Sequence, residues 1–219
     1  MVIVLFDGIT ALDAVGPYEV LSRLPDAKVV FVAAEPGPKW TDNHALALLA
    51  ERSLTEIEQT DVLVVPGGHG TRALLKDEEL LDWIRRVHQT TRWTTSVCTG
   101  ALLLGAAGVL RELEATTHWQ SLDVLSDFGA RPVQRRVVEQ GKVITAAGVS
   151  AGIDMALTLA ARVAGQDVAE SIQLSIEYDP QPPFNAGSPL VARPELVERA
   201  RTRAQPPSVE IPTGLPRGG

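Results

Sequence analysis

The sequence predicts an α/β fold, a doubly wound and mostly parallel sheet with helices on both faces. Three observations carry this. Apolar runs of strand length alternate with amphipathic stretches of helix length. The run Asp61-Val62-Leu63-Val64-Val65 is continuously apolar after its first residue, as in strands buried on both faces of a parallel sheet. Turns of glycine and other small residues follow several runs directly, where strand passes into helix.

Taken in order, residues 1–6 form a first strand. Residues 11–24 are helical, interrupted at Gly16-Pro17, where Pro17 suits the first turn of a new helix because its missing N–H is unpaired there anyway. Residues 28–33 are a second strand. Residues 44–50 are half of a short hairpin after the Glu35-Pro36-Gly37-Pro38 turn. The strand 61–65 leads to a helix over 78–88 with Leu80, Leu81, Trp83, Ile84 and Val87 on its apolar face. Trp93-Thr94-Thr95-Ser96-Val97 is a strand, and 99–107 a helix. A short helix over 121–128 precedes strands at 132–140 and 142–146, which flank Gly141. Residues 151–164 are a helix apolar nearly all round, which must be buried in the core or against a partner. A last helix covers 168–176. Residues 1–203 are expected as one domain and 204–219 as a mobile Pro- and Gly-rich tail.

Bulk properties narrow the function. The 219 residues are 45% hydrophobic and 21% charged, enough for a sizeable core. Net charge is −7, and no Lys/Arg cluster offers a footprint for nucleic acid. No apolar run approaches the ~20 residues of a membrane span. The first residues lack the basic start and length of a signal peptide. One cysteine excludes an intramolecular disulfide framework and a multi-cysteine metal site. A reducing, cytoplasmic setting follows.

That cysteine, Cys98, lies where the 93–97 strand turns into a helix, the geometry of a nucleophile elbow without its G-x-S-x-G spelling. Either it is a small inert core residue, or the amides at the helix start favour its thiolate and lower its pKa. Pro66-Gly67-Gly68-His69-Gly70 follows the 61–65 strand; it is either a plain turn or a loop whose Gly67 and Gly68 amides hold negative charge beside Cys98. Asp13 has almost wholly apolar neighbours, and is either a helix cap or a desolvated acid suited to proton transfer. Thr99 offers a hydroxyl and an amide but no general base. Val149, after the 142–146 strand, should lie close to Cys98, while neighbouring Ser150 reads as an N-cap. Of the four histidines, His44 and His88 read as surface residues, and His69 and His118 are open as pocket residues.

Val64-Val65-Pro66-Gly67-Gly68, Ser96-Val97-Cys98-Thr99-Gly100-Ala101, Ala115-Thr116-Thr117-His118-Trp119 and Gly148-Val149-Ser150-Ala151-Gly152-Ile153-Asp154 together resemble the ThiJ/PfpI superfamily. Leu12-Asp13, Gly16-Pro17 and the stretch from Glu177 to Pro189 resemble its bacterial isocyanide hydratases. The resemblance implies a flavodoxin-like homodimer with Cys98 as nucleophile and each pocket near the subunit interface. The protease-like branch has histidine after the cysteine, where this chain has Thr99; the glyoxalase and deglycase branch has glutamate where it has Asp13. The regulators of the superfamily carry a helix-turn-helix region, for which no residues follow 203 beyond the tail. The implied activity is hydration of an isocyanide, with Cys98 and Asp13 as nucleophile and proton carrier, oriented by Thr99 and the amides near Gly68, and with no metal or organic cofactor. A thiol sensor and a cysteine-dependent amide or glutamine hydrolase are the rival readings.

Overall fold

A computed structural model describes residues 1–203; the tail expected over 204–219 lies outside the described residues. The elements, in chain order, are β1 (Val2–Val4), α1 (Ala11–Leu21), β2 (Val30–Ala33), β3 (Gly37–Trp40), β4 (Ala47–Ala50), β5 (Arg52–Ser53), β6 (Val62–Val65), α2 (Thr71–Leu74), α3 (Glu78–Thr90), β7 (Trp93–Val97), α4 (Gly100–Ala106), β8 (Glu114–Ala115), β9 (Arg131–Pro132), β10 (Val137–Gln140), β11 (Val143–Ala146), α5 (Ala151–Ala164), α6 (Gln166–Ser175) and α7 (Pro194–Arg203).

Seven strands form the central sheet in the order β10-β11-β7-β6-β1-β2-β5. All adjacent pairs are parallel except β10 with β11. The chain builds outward from β1 to β2 and β5, then crosses to β6, β7 and β11, so the topological switch lies between β1 and β6. At such a point the carboxyl ends of strands open into a crevice. The expected doubly wound, flavodoxin-like α/β class is what the chain adopts.

The core is continuous across both layers. β1 and β6 are buried along their whole length, which is why their sequences are unbroken apolar runs. On one face α1, α5 and α6 pack together; on the other, α3 packs on α4. Helix α3 buries Leu80, Leu81, Trp83, Ile84 and Val87, its expected apolar face, and Asp77 caps it by accepting from the Leu80 amide at 3.1 Å.

Four local expectations are corrected. Pro17 does not start a second helix; it lies inside the single helix α1. The lost bond to the Asp13 carbonyl is offset by close packing, with Gly16 against Ile153 and Pro17 against Gly152 on α5. The hairpin is real, but its turn spans 41–46, and Gly37-Pro38 is the start of β3. Residues 132–136 are not part of β10, because Arg131–Pro132 pairs instead with Glu114–Ala115. Helix α5 is amphipathic in place: Ala151, Gly152, Met155, Ala156, Leu159 and Ala160 are buried, whereas Val163 is 43% exposed. Its apolar character is thus largely spent within the chain.

The compact unit ends at Tyr178, and a second unit begins at Asp179. The described part of the second unit holds α7, which begins with Pro194 at its first position and Glu195 in its first turn. Among the described residues no helix is long and apolar enough to cross a membrane.

Candidate active site

Cys98 sits at the carboxyl end of β7 with φ at +56°, a conformation that strains any residue with a side chain. The surroundings over-determine it. Its amide donates to the carbonyls of Ala146 (3.1 Å) and Ala147 (2.8 Å) beyond β11, and its carbonyl accepts from Thr117 Oγ1 at 2.6 Å. Gly100 follows so closely on β6 that a Cβ there would lie 2.0 Å from the Val65 carbonyl oxygen. The elbow therefore needs both a pinned turn and a glycine at the start of α4.

Asp13 projects from the first turn of α1 and is wholly buried. It caps nothing; Thr10 holds the N-cap position. One carboxyl oxygen, Oδ2, accepts from the Gly67 amide at 2.9 Å; the other, Oδ1, is buried without a hydrogen-bond partner among the described residues. Burial raises its pKa from an ordinary 3.8 to about 7, against the pull of the Gly67 amide and the nearby Cys98 thiol.

The thiol moves opposite to the sequence expectation. Burial first, then the Asp13 charge, push Cys98 up to about 12, although the Thr99 and Val149 amides that face the sulfur pull it down. The amides at the start of α4 do not outweigh burial and the neighbouring carboxyl. Above pH about 7, Cys98 and Asp13 thus form a pair that keeps one proton, with the carboxylate as base and the thiol as acid.

The glycine-loop amides also act differently from expectation. Gly67 donates to Asp13, and Gly68 donates to Thr99 Oγ1 at 3.0 Å. Neither is left for an anion; both hold the catalytic candidates in place. The amides that face the sulfur are those of Thr99 and Val149, the latter at φ +38°. Thr99 Oγ1 also receives Thr71 Oγ1 at 3.1 Å, which ties α2 to the elbow.

A cavity of about 130 Å³ opens above Cys98. Thr99, Gly68 and Val149 line it, and so do both open histidines, His69 and His118. Arg72, Asp42 and Thr10 join them, none of which the sequence pattern marks. His44 is exposed as expected. His88 is not a surface residue: it is half-buried, with Nδ1 2.8 Å from Thr94 Oγ1, and desolvation lowers its pKa. Ser150 occupies the N-cap position of α5, but its side chain caps no helical amide.

The model of the DJ-1/PfpI family matches residues 1–162. The chain belongs to the DJ-1/PfpI family. Within reach of it lies the isonitrile hydratase of Pseudomonas putida, 46% identical over 202 residues, 92% of this chain and 88% of that protein. The crystal structure of a ThiJ/PfpI family protein from Pseudomonas syringae superposes with a TM-score of 0.89 at 38% identity, covering 92% of this chain and 84% of that one. Schizosaccharomyces pombe DJ-1 shares the fold, with a TM-score of 0.70 at 19% identity over 80% of this chain and 97% of its own.

In this DJ-1/PfpI site the loop geometry gives a direct test. A Cβ on Gly67 would lie 2.5 Å from the Thr99 nitrogen, 2.7 Å from Thr99 Oγ1 and 2.9 Å from Asp13 Oδ2. Gly67→Ala must therefore displace Asp13 or the elbow. Misplacement on the ångström scale costs on the order of 10²-fold, so kcat/KM should fall by that order and the thermal midpoint should drop. Unchanged kcat/KM would remove the loop from the positioning of Asp13.

Proposed function

We propose that the protein is an isocyanide hydratase, a lyase that adds water to R–N≡C to give an N-substituted formamide. The observation that carries this reading is the pairing of Cys98, which lines a small pocket, with the wholly buried acid Asp13, whose pKa is raised to about 7. An isocyanide carbon must gain a nucleophile and a proton at the same atom. A thiol with a carboxylate beside it supplies both from one place. The likeness to the Pseudomonas putida isonitrile hydratase supports the same reaction.

In the proposed sequence the Cys98 sulfur bonds to the isocyanide carbon while its proton passes through Asp13 to that carbon. The product is a thioimidate, R–N=CH–S–Cys98. Asp13, again a carboxylate, takes a proton from water as the water oxygen adds to the same carbon. Asp13 passes that proton to the nitrogen; the C–S bond then breaks as the hydroxyl becomes the formamide carbonyl, and the hydroxyl proton returns through Asp13 to the sulfur, restoring the thiol. Atoms balance with water alone. The amides of Thr99 and Val149 face the sulfur and stabilise its developing charge in each step.

Turnover of a simple alkyl or aryl isocyanide, followed by formamide detection, tests the reading. Intact-protein mass spectrometry after rapid quenching should show one adduct of the substrate's full mass on Cys98. An oxidisable thiol with no turnover, or ammonia release from amides, would replace it with the sensor or hydrolase reading.

The protein is proposed to work as a homodimer in a reducing, cytoplasmic compartment that keeps Cys98 a thiol. Support for the dimer comes from the β3–β4 hairpin rather than α5. Trp40, Leu46 and Leu49 are 43%, 49% and 63% exposed on it, and its turn carries Asp42 to the pocket. Light scattering at micromolar concentration should give twice the chain mass of 23.5 kDa. A monomer at every concentration would discard the dimer.

A further inference from the structure

The pocket above Cys98 has an uneven distribution of charge. On the side of α1, Asp42 accepts from Thr10 Oγ1 at 3.2 Å and adds its charge to the field at Asp13. Three basic side chains line the same cavity: Arg72 on α2, His69 in the glycine loop and His118 before the segment 119–121. One Arg72 guanidinium nitrogen lies 3.3 Å from His69 Nδ1. Among the described residues no ion pair involves Arg72. Burial first, then the nearby Arg72 charge, lowers the pKa of His118. A guanidinium beside two imidazoles, in a cavity and without a carboxylate partner, is a receptor for an anion.

The place of Arg72 is fixed relative to the nucleophile. Thr71, the preceding residue, donates to the Gly68 carbonyl at 2.8 Å and to Thr99 Oγ1 at 3.1 Å, and Thr99 follows Cys98 directly. The reacting carbon must reach the Cys98 sulfur, which lines the cavity. The rest of the substrate then occupies the cavity that Arg72, His69 and His118 also line. Cys98 and Arg72 line one cavity of about 130 Å³, so a single small molecule can meet both.

We infer that the pocket selects isocyanides bearing a carboxylate a short chain away from the isocyano group, with Arg72 as the residue that binds the carboxylate and His69 and His118 lining its seat. The inference rests on the proposed hydration reaction and names its substrate class. Arginine suits the task because its planar fork meets a carboxylate with two parallel hydrogen bonds.

The test compares isocyanoacetate with its uncharged amide, isocyanoacetamide, as substrates of the wild type, Arg72→Gln and Arg72→Lys. A charge-assisted contact of this kind is worth about 10- to 100-fold. The wild type should therefore favour the carboxylate in kcat/KM by that factor, chiefly through KM. The preference should fall to near one in Arg72→Gln and return in part in Arg72→Lys. Binding of the corresponding product, N-formylglycine, is followed by calorimetry without any turnover and should weaken in Arg72→Gln by a similar factor. Equal use of both substrates by the wild type, or a preference that survives Arg72→Gln, overturns the inference while the hydratase reading stands. If neither isocyanide is turned over, the hydratase reading falls. In that case Arg72-dependent N-formylglycine binding still supports the anion seat, and binding indifferent to Arg72 overturns it.

Discussion

Cys98→Ser should abolish turnover, lowering kcat by about 10⁴- to 10⁶-fold, the range seen when a covalent nucleophile is removed, while leaving the protein folded. The fold should survive because the hydrogen bonds that pin the elbow are made by the Cys98 backbone, to Ala146, Ala147 and Thr117, and by Thr99, none of them needing the thiol. The side chain loses little volume and stays in the same pocket. The chemistry fails because a serine hydroxyl is a far weaker acid than a thiol, and Asp13, with its pKa at about 7, is too weak a base to activate it. The thermal midpoint should move by only a few degrees, and the quenched adduct should be absent. Retained turnover would show that another group attacks the isocyanide, and the elbow would then be structural.

The sequence makes the scaffold of this site legible and its electrostatics much less so. Strands such as Trp93–Val97 and helices such as Ala151–Ala164 are local patterns, and the chain adopts both within those bounds. The small residues around Cys98 announce a turn, and Asp13 stands out as an acid among apolar neighbours. The direction of the thiol's pKa shift is not local: it depends on burial and on a carboxylate 85 positions away in the chain. The tasks of Gly67 and Gly68 are likewise hidden, because the acceptors for their amides come from α1 and the elbow. Arg72 and Asp42 look like ordinary surface charges until α2 and the β3–β4 turn fold against the pocket. Helix α7 was missed for a different reason. Its start carries Pro and an acid, but beyond Leu196, Val197 and the small Ala200 it is polar, a weak apolar periodicity.

Asp13→Asn should separate catalysis from stability, losing the first and gaining the second. Asparagine keeps an oxygen to accept from the Gly67 amide but cannot take the thiol proton. Loss of a positioned general base costs about 10²- to 10⁴-fold, and kcat/KM should fall by that order. In the wild type, kcat/KM should rise with pH through about 7 as Asp13 ionises, then stay level, because the thiol at about 12 loses no proton in the working range. The variant should show no inflection near 7. The stability effect has the opposite sign. A carboxyl whose folded pKa is raised binds its proton more tightly folded than unfolded, so it favours folding at low pH, and that advantage is lost as pH rises through the folded value. Moving from 3.8 to about 7 corresponds to about 4 kcal/mol at 1.36 kcal/mol per pH unit. At pH 8 the wild type bears the whole cost of a buried carboxylate; at pH 5 most of it has not developed. Asp13→Asn should therefore raise the thermal midpoint clearly at pH 8 and much less at pH 5. A variant that keeps the inflection near 7 would assign the proton to another group, and one destabilised at pH 8 would make Asp13 a structural acid whose charge the fold requires.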